Sequence, residues 1–162
     1  MRLALIVEYE GTKYHGFQYQ KNLPTIQEDL EKAVERFTGE KVRVKGAGRT
    51  DSGVHASGQV IVFDTNSIHP TERITAALNF HLPKDIAIKS TYEVDMEFDP
   101  RRHALSRTYA YSIINAPTRT PLVRRTAHRV PESLDIKLMQ NSAKLFVGIW
   151  DFSRFAATPE SP

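Results

Sequence analysis

The chain has 162 residues, of which 40% are hydrophobic and 25% charged, so it can form one domain with a proper core, or one domain and part of a second. It contains no cysteine, which excludes a disulfide framework, a thiolate nucleophile and a cysteine-based metal site and fits a cytoplasmic location. The net charge of +3 says little about partners. The apolar opening is cut short by Glu8 and Glu10, and no later run is long enough to span a membrane.

Strand and helix signals alternate along the first part of the chain. A strand is predicted from Leu3 to Tyr9, and after a polar loop Thr25 can cap a helix that ends at Gly39. Glu28 lies three residues after Thr25, as a capping box requires. The next signals predict a short strand at 41–45, a strand at 59–63, a helix between Pro70 and Pro83, and a strand at 86–94. This β-α-β-β-α-β order predicts an α+β, ferredoxin-like domain with an antiparallel sheet.

The chain after residue 105 has the pattern of a second unit that has only begun. A strand is predicted from Arg107 to Ile114, and Ser133 can cap a helix that Gly148 stops. The apolar residues of this helix would be Leu134, Leu138, Leu145 and Phe146. One strand and one helix cannot easily bury both of their apolar faces. We therefore expect a ferredoxin-like N-terminal half at residues 1–105, the beginning of a C-terminal half at residues 106–162, and a natural C-terminus beyond Pro162.

Positive charge is concentrated in one stretch. No acidic residue lies between Asp99 and Glu132, where the chain carries Arg101, Arg102, Arg107, Arg119, Arg124, Arg125 and Arg129. Such a run can simply be a solvated face that keeps the protein soluble. Arginine, however, suits phosphate through its planar fork, and Tyr109, Tyr111 and His128 are interleaved with the arginines. The stretch therefore favours nucleic acid as a partner.

The segment from Gly46 to His55, here called the Asp loop, joins two predicted strands. Asp-Ser-Gly is ordinary turn chemistry, and the glycine spacing fits neither the dinucleotide-binding fingerprint nor a P-loop. In a functional interpretation, Asp51 is a nucleophile or a base that a nearby cation keeps ionised, and Arg49 stacks on or displaces a base. Asp51 and His55 alone would make a weak metal site, so no metal is expected. His55 and His103 are interpreted as structural residues.

The sequence GRTDSGVHA at residues 48–56 resembles the signature of TruA-type tRNA pseudouridine synthases. Further blocks resemble the same family in the same order, at residues 14–18, 25–28, 79–86, 98–101, 106–111 and 148–155. The resemblance extends over essentially the whole chain. Family members usually carry Trp where this chain has Phe17, a change that keeps the apolar bulk. Tyr14, Phe17 and Gln18 could either pack the loop before the first helix or contact RNA.

The resemblance implies an isomerase that converts uridine to pseudouridine on the 3′ side of the tRNA anticodon stem-loop (tRNA positions 38–40), in the cytoplasm and without metal or organic cofactor. By the same resemblance, Asp51 is the catalytic aspartate, Arg49 flips the target base and Tyr109 stacks on it. Arg101 and Arg107 are expected to bind substrate. Whether Asp51 attacks the sugar, attacks the uracil or removes a sugar proton stays open. On its alternating strand position alone, Tyr109 would be a core residue.

The main departure from the family is the distal half. Family members continue through a second α/β half, which supplies a cation for the catalytic aspartate and an apolar wall of the pocket, and they act as homodimers that share one tRNA. We therefore expect the 162-residue chain to be inactive, or nearly so, by itself. Two other classes stay open: a non-catalytic RNA-binding module that uses the sheet face and the arginine-rich stretch, and a ferredoxin-like oligomerisation or small-molecule domain.

Overall fold

The computed structural model describes residues 1–155. Its regular elements before residue 110 are β1 (Arg2–Tyr9), α1 (Ile26–Thr38), β2 (Lys45–Gly46), β3 (Ala56–Asp64), α2 (Thr71–His81) and β4 (Ile86–Val94). The strands form one sheet in the order β2-β3-β1-β4, and every neighbouring pair is antiparallel. This order is the one that a β-α-β-β-α-β chain takes in a ferredoxin-like domain. The predicted α+β fold class is confirmed.

One face of the sheet forms the core. Leu3, Leu5, Val7 and Tyr9 alternate along β1 and are almost completely buried. Leu5 lies opposite Ile61 of β3, so the buried rows of the two strands coincide. The two helices bury their apolar faces in the same cluster, through Ile26, Leu30, Ala33, Val34, Ile74 and Leu78. Fully burying one such aliphatic side chain contributes about 1.5–3 kcal/mol, so this face stabilises most of the unit.

The ends of α1 lie where the sequence predicts them. Thr25 is the N-cap, and its side chain accepts a hydrogen bond from the backbone N–H of Glu28 at 3.3 Å. Gly39 adopts a left-handed conformation at φ 76° and ends the helix. The carbonyls of Gly16 and Phe17 accept hydrogen bonds from two further N–H groups of the first turn. The loop before α1 is therefore fixed to the start of the helix.

At the edge of the sheet, β4 is supported by a side chain of α2. The Asn79 amide donates to the carbonyl of Ile88 at 2.9 Å and accepts from its N–H at 2.7 Å. The side chain thus takes the place of a neighbouring strand for one residue, which protects an otherwise open edge. The predicted bounds of β4 are confirmed residue for residue.

The predicted strand at 41–45 is wrong in extent, because β2 begins only at Lys45. Two side chains of α1 form hydrogen bonds with the backbone of Val44, the residue before β2. Glu31 accepts a hydrogen bond from the N–H of Val44 at 3.0 Å, and Gln27 donates to its carbonyl at 3.1 Å. Those groups are therefore unavailable for pairing with β3.

From Ala110 onward the chain forms a second compact unit, distinct from Met1–Tyr109. It contains β5 (Ile113–Asn115) and β6 (His128–Val130), which pair in parallel, and α3 (Ile136–Lys144). The strand predicted from Arg107 to Ile114 is wrong over most of its length, because pairing with β6 begins only at Ile113.

The helix predicted in this unit exists, but its ends are different. Asp135, not Ser133, is the N-cap, and its carboxylate accepts a hydrogen bond from the N–H of Leu138 at 2.9 Å. Leu134 therefore precedes the helix, and Leu145 follows it. Within residues 1–155, no helix is both long and apolar enough to cross a membrane.

Candidate active site

The Asp loop leads from β2 directly into β3. It turns at Asp51, whose carbonyl accepts a hydrogen bond from the N–H of Val54 at 3.2 Å, and Gly53 supplies the positive φ of 78°. The side chain of Asp51 is exposed, as is that of Arg49. The turn thus presents an acid and a guanidinium side chain outside the packed core.

A second segment, the first loop (residues 10–24), holds the Asp loop in place through hydrogen bonds. The carbonyl of Thr50 accepts from the N–H of Phe17 at 3.0 Å. The carbonyl of Tyr14 accepts from the N–H of Gly53 and from the hydroxyl of Ser52, both at 3.2 Å. These bonds join the residues immediately before and after Asp51 to one neighbouring segment, so the backbone at Asp51 is fixed on both sides.

Two glycines of the first loop allow this close approach. Gly16 has a φ of 88°, and a Cβ there would lie 2.8 Å from the carbonyl oxygen of Thr50. A Cβ at Gly11 would lie only 2.0 Å from the carbonyl oxygen of Val54. Both obstacles are backbone atoms, which cannot move aside as a flexible side chain can. The two loops therefore fit together only if these positions have no side chain.

Buried aromatic residues support the loops from below. The Tyr9 hydroxyl lies 2.9 Å from the hydroxyl of Thr50, and burial raises the pKa of the Tyr9 phenol above its usual range. Phe17 is 3% exposed and lies directly against Gly46, where a Cβ would come within 2.9 Å of its ring. Tyr14 is 5% exposed and donates from its hydroxyl to Asp29 at 2.9 Å. Tyr14 and Phe17 therefore pack the loop and leave little surface for RNA.

Asp51 and Arg49 line one small polar cleft of about 300 Å³, here called the Asp cleft. Its other walls come from both loops: His15, Gly16, Gln18, Gln20, Thr50 and Ser52. Gln18 is exposed and reaches the cleft, unlike its buried neighbour Phe17. Sequence reasoning left Gln18 open and did not single out His15 or Gln20. Their position in or next to the family-like block at residues 14–18 was the sequence feature that could have identified them.

A larger depression of about 650 Å³ lies beside the Asp loop, and it is called here the basic cavity. Arg49, Arg101 and Arg107 all line it, so the structure brings these three predicted residues together. The guanidinium of Arg107 donates to the carbonyls of Ala47 and Arg101 at 3.1 and 3.2 Å. Carbonyl groups fix the orientation of a guanidinium without neutralising its charge, so Arg107 keeps its capacity to bind an anion.

Tyr109 is 71% exposed and lines neither depression, and the residues around it form no strand. Tyr109 is therefore not a core residue, although its alternating position in a strand would have predicted one.

The two histidines that the sequence analysis interpreted as structural, His55 and His103, both accept hydrogen bonds from the backbone. Nδ1 of His55 accepts from the N–H of Gly11 at 3.0 Å, and Nδ1 of His103 accepts from the N–H of Asp99 at 3.3 Å. Within residues 1–155, no group of three His, Asp or Glu side chains could hold a metal ion.

Comparison with known proteins places the chain in a family. The family model described as tRNA pseudouridine synthase matches residues 5–101, which include β1, both helices, the Asp loop and Arg101. The chain belongs to the tRNA pseudouridine synthase family. The match contains almost all of the first compact unit, Met1–Tyr109.

Individual relatives of this family extend the similarity over nearly the whole chain. The tRNA pseudouridine synthase A of Acetivibrio thermocellus is 48% identical over 159 residues, which are 98% of this chain and 65% of the relative. That of Myxococcus xanthus is 46% identical over 156 residues, 96% of this chain and 59% of the relative. That of Geotalea daltonii is 44% identical over 156 residues, again 96% of this chain and 64% of the relative. The chain thus spans about three fifths to two thirds of the length of these relatives.

Proposed function

We propose that the protein containing this chain isomerises uridine to pseudouridine in tRNA, on the 3′ side of the anticodon stem-loop, with Asp51 as the catalytic residue. The observation that carries the proposal is the Asp cleft. An acid and an arginine line the same small polar cleft, on a loop whose backbone is hydrogen-bonded on both sides of the acid. The relatives of this chain are named tRNA pseudouridine synthase A, which supports tRNA as the substrate.

The reaction makes three demands that the proposed site residues can meet. The C–N glycosidic bond must break, the uracil must turn, and a C–C bond must form, all while the base stays in the site. The base must first leave its stack, which costs a few kcal/mol. Arg49 displaces the base or holds it beside Asp51, which its place in the lining of the same cleft supports, and the exposed ring of Tyr109 supplies a stacking face.

The remaining assignments concern the whole protein. Residues 106–162 form the beginning of a C-terminal half, whose further residues complete the pocket around Asp51 with a cation and an apolar wall. The complete protein acts as a homodimer in the cytoplasm and needs no metal or organic cofactor. By itself, the 162-residue chain is inactive or nearly so. Incubation of this chain with unmodified tRNA, followed by mapping of pseudouridine, tests that statement, and robust turnover would contradict it.

The catalytic assignment is tested by Asp51→Asn in the full-length protein. The variant keeps the size of the side chain but removes its charge and its basicity, so we expect pseudouridine formation to fall by at least ~100-fold. RNA binding should stay within about threefold of wild type, because the arginines remain. The measurement is pseudouridine mapped in an unmodified tRNA transcript, with binding measured in parallel.

A matched control is Asp95→Asn, since Asp95 is also exposed and the asparagine keeps the oxygen that accepts the N–H of Glu97 at 2.8 Å. It should turn over like wild type. Full turnover by Asp51→Asn would reject Asp51 as the catalytic residue. RNA binding by the wild-type full-length protein without any pseudouridine formation would favour the second candidate, a non-catalytic RNA-binding module, which the five cations lining the basic cavity support.

A further inference from the structure

The basic cavity carries more positive charge than the arginines predicted from sequence. Besides Arg49, Arg101 and Arg107, its lining includes Arg43 and Lys45. Both come from the edge of the sheet, at or just before β2. One carboxylate, that of Asp99, lies among these five cations. A concave surface with this excess of positive charge attracts an anion.

Four of the nine lysines form ion pairs with acidic side chains, and Lys45 is not one of them. Within residues 1–155, no carboxylate lies within ion-pair distance of its ammonium group. By contrast, Lys32 is 2.8 Å from Glu28, and Lys89 is 3.3 Å from Glu8. The charge of Lys45 is therefore available to a ligand.

The position of Lys45 is fixed although its ammonium group is not paired. In the sheet it lies opposite Val62 of β3, and its neighbour Gly46 lies opposite Ile61. Because neighbouring residues of a strand point to opposite faces, the register directs Lys45 away from the buried row that contains Ile61. Its backbone is thus held by the sheet at the wall of the cavity.

The other cation of this wall is already engaged. Arg43 lies 3.2 Å from a carboxylate oxygen of Glu31, and its guanidinium is 5.3 Å from the centre of the Tyr19 ring. An ion pair and a ring contact of this kind both reduce what Arg43 can offer to a ligand. Lys45 is therefore the stronger candidate for a direct contact.

The one carboxylate of the cavity is committed to its own segment. An oxygen of Asp99 accepts the N–H groups of Arg101 and Arg102 at 2.8 and 2.9 Å. These hydrogen bonds hold the pKa of Asp99 below its usual range, with Arg102 and Lys45 contributing through their charge. Asp99 therefore shapes the turn that brings Arg101 to the cavity and leaves the cations in excess.

The basic cavity and the Asp cleft adjoin each other, since Gln18 and Arg49 line both. We infer that the basic cavity binds a phosphodiester group of the RNA strand whose target nucleotide occupies the Asp cleft, and that Lys45 is a ligand of that phosphate. The inference rests on the proposed function, because it takes the substrate to be RNA. It assigns a binding role to a residue outside the family-like motif at residues 48–56, and that residue lines the basic cavity but not the Asp cleft.

The test combines a protein change with a change in single phosphates of the RNA. Wild type, Lys45→Gln and Lys45→Arg, each in the full-length protein, are titrated with anticodon stem-loop RNAs that each carry one uncharged methylphosphonate linkage. Wild type should lose roughly tenfold in affinity at one linkage near the target uridine. Lys45→Gln should bind unmodified RNA roughly tenfold more weakly, with a log–log salt slope smaller by about one, and should be insensitive to that linkage. Lys45→Arg should recover most of the affinity.

Lys89→Gln is the matched control, because Lys89 lies on a strand of the same sheet but is paired with Glu8. It should keep the affinity, the salt slope and the sensitive linkage of wild type. If Lys45→Gln behaves like Lys89→Gln while wild type binds and modifies RNA, the phosphate assignment is wrong and the proposed function stands. If inorganic phosphate binds wild type but not Lys45→Gln, and no single methylphosphonate linkage weakens RNA binding to wild type, the cavity is a free-phosphate site and the RNA assignment is wrong. If wild type neither binds nor modifies tRNA, the proposed function fails, and this inference fails with it.

Discussion

The two compact units of this chain contain similar elements and bury them very differently. Residues 1–109 enclose a core in which Leu30 of α1 is 2% exposed. From residue 110 to residue 155 no side chain is buried, and Leu138 of α3 is 63% exposed. The two helices that carry these leucines, α1 and α3, are both amphipathic, and both have a side-chain N-cap. Local signals thus suffice to form a helix, but only α1 has a sheet against which its apolar face is buried.

Core substitutions should give the largest difference between the two units. Leu5→Ala removes a fully buried side chain from β1 and should lower the free energy of unfolding by about 2–5 kcal/mol, since the cavity adds to the lost burial. Leu138→Ala deletes the same atoms from an exposed site and should change it by about 0.5 kcal/mol or less. Urea denaturation followed by circular dichroism measures both.

The outcome also tells whether α3 is covered in solution. If Leu138→Ala in the 162-residue chain costs as much as Leu5→Ala, α3 packs against a surface, and the contrast between the units is wrong. Repeating Leu138→Ala in the full-length protein sharpens the comparison. A cost of about 2 kcal/mol or more in that setting alone would indicate that further residues bury this face.

The same contrast explains how much of the fold the sequence could predict. Both ends of α1 are set by local chemistry, a Thr cap and a left-handed Gly, and both were predicted. The start of β2 was not, because two α1 side chains bind the backbone of Val44, and sequence spacing does not reveal such a contact. The strand predicted from Arg107 to Ile114 was wrong over most of its length, because pairing with β6 begins only at Ile113.

The site was predictable to a similar degree. The Asp loop and its acid could be found from sequence because the nine consecutive residues 48–56 include Asp51 and most of the loop. The contacts that fix the loop could not, since Gly16 and Thr50 meet only through the fold. The contact inferred for Lys45 was missed for the same reason: it depends on the register of β2 with β3 and on the turn at Asp99. Asp51, Arg49 and Tyr109 remain predictions as functional residues.

Glycine substitutions should give the next largest effect and separate strain from contact. Gly16 and Gly39 both have positive φ, but a Cβ at Gly39 meets nothing within 4 Å, whereas at Gly16 it meets a carbonyl oxygen. Gly39→Ala should therefore cost about 1 kcal/mol, from conformation alone. Gly16→Ala should cost roughly 2–3 kcal/mol and also reduce turnover, because the two loops must separate.

The second unit contains a comparable glycine with positive φ, Gly148. Gly148 has a φ of 128°, and its nearest neighbour is the side chain of Trp150, which can move. Gly148→Ala should leave turnover unaffected in the full-length protein if only the first unit fixes the Asp loop. Thermal melts and pseudouridine mapping on the three variants check this order. Equal turnover in Gly16→Ala and Gly39→Ala would show that loop contact does not position Asp51.

The smallest expected effect is the change of stability when a carboxylate is protonated at low pH. Arg2 of β1 binds Asp64 of β3 through two contacts of 2.7 and 2.9 Å, and this interaction holds the pKa of Asp64 below its usual range. In the second unit, the pKa of Asp151 is also lowered, but by hydrogen bonds from Ser153, only two residues away. One carboxylate thus joins two strands, and the other serves only its own turn.

Only the carboxylate that joins strands should affect the unfolding of the first unit. Because the pKa of Asp64 is lower in the folded state, its contribution is complete above the unfolded-state pKa of about 3.9 and is lost as the pH falls through the folded value. Asp64→Asn should therefore melt a few degrees below wild type at pH 7 and together with it near pH 2. Asp64 is half exposed, so 1 M salt should narrow the gap at pH 7. Asp151→Asn should have the same melting temperature as wild type at every pH. If the difference in melting temperature between Asp64→Asn and wild type is constant from pH 2 to 7, the ion pair is not its cause.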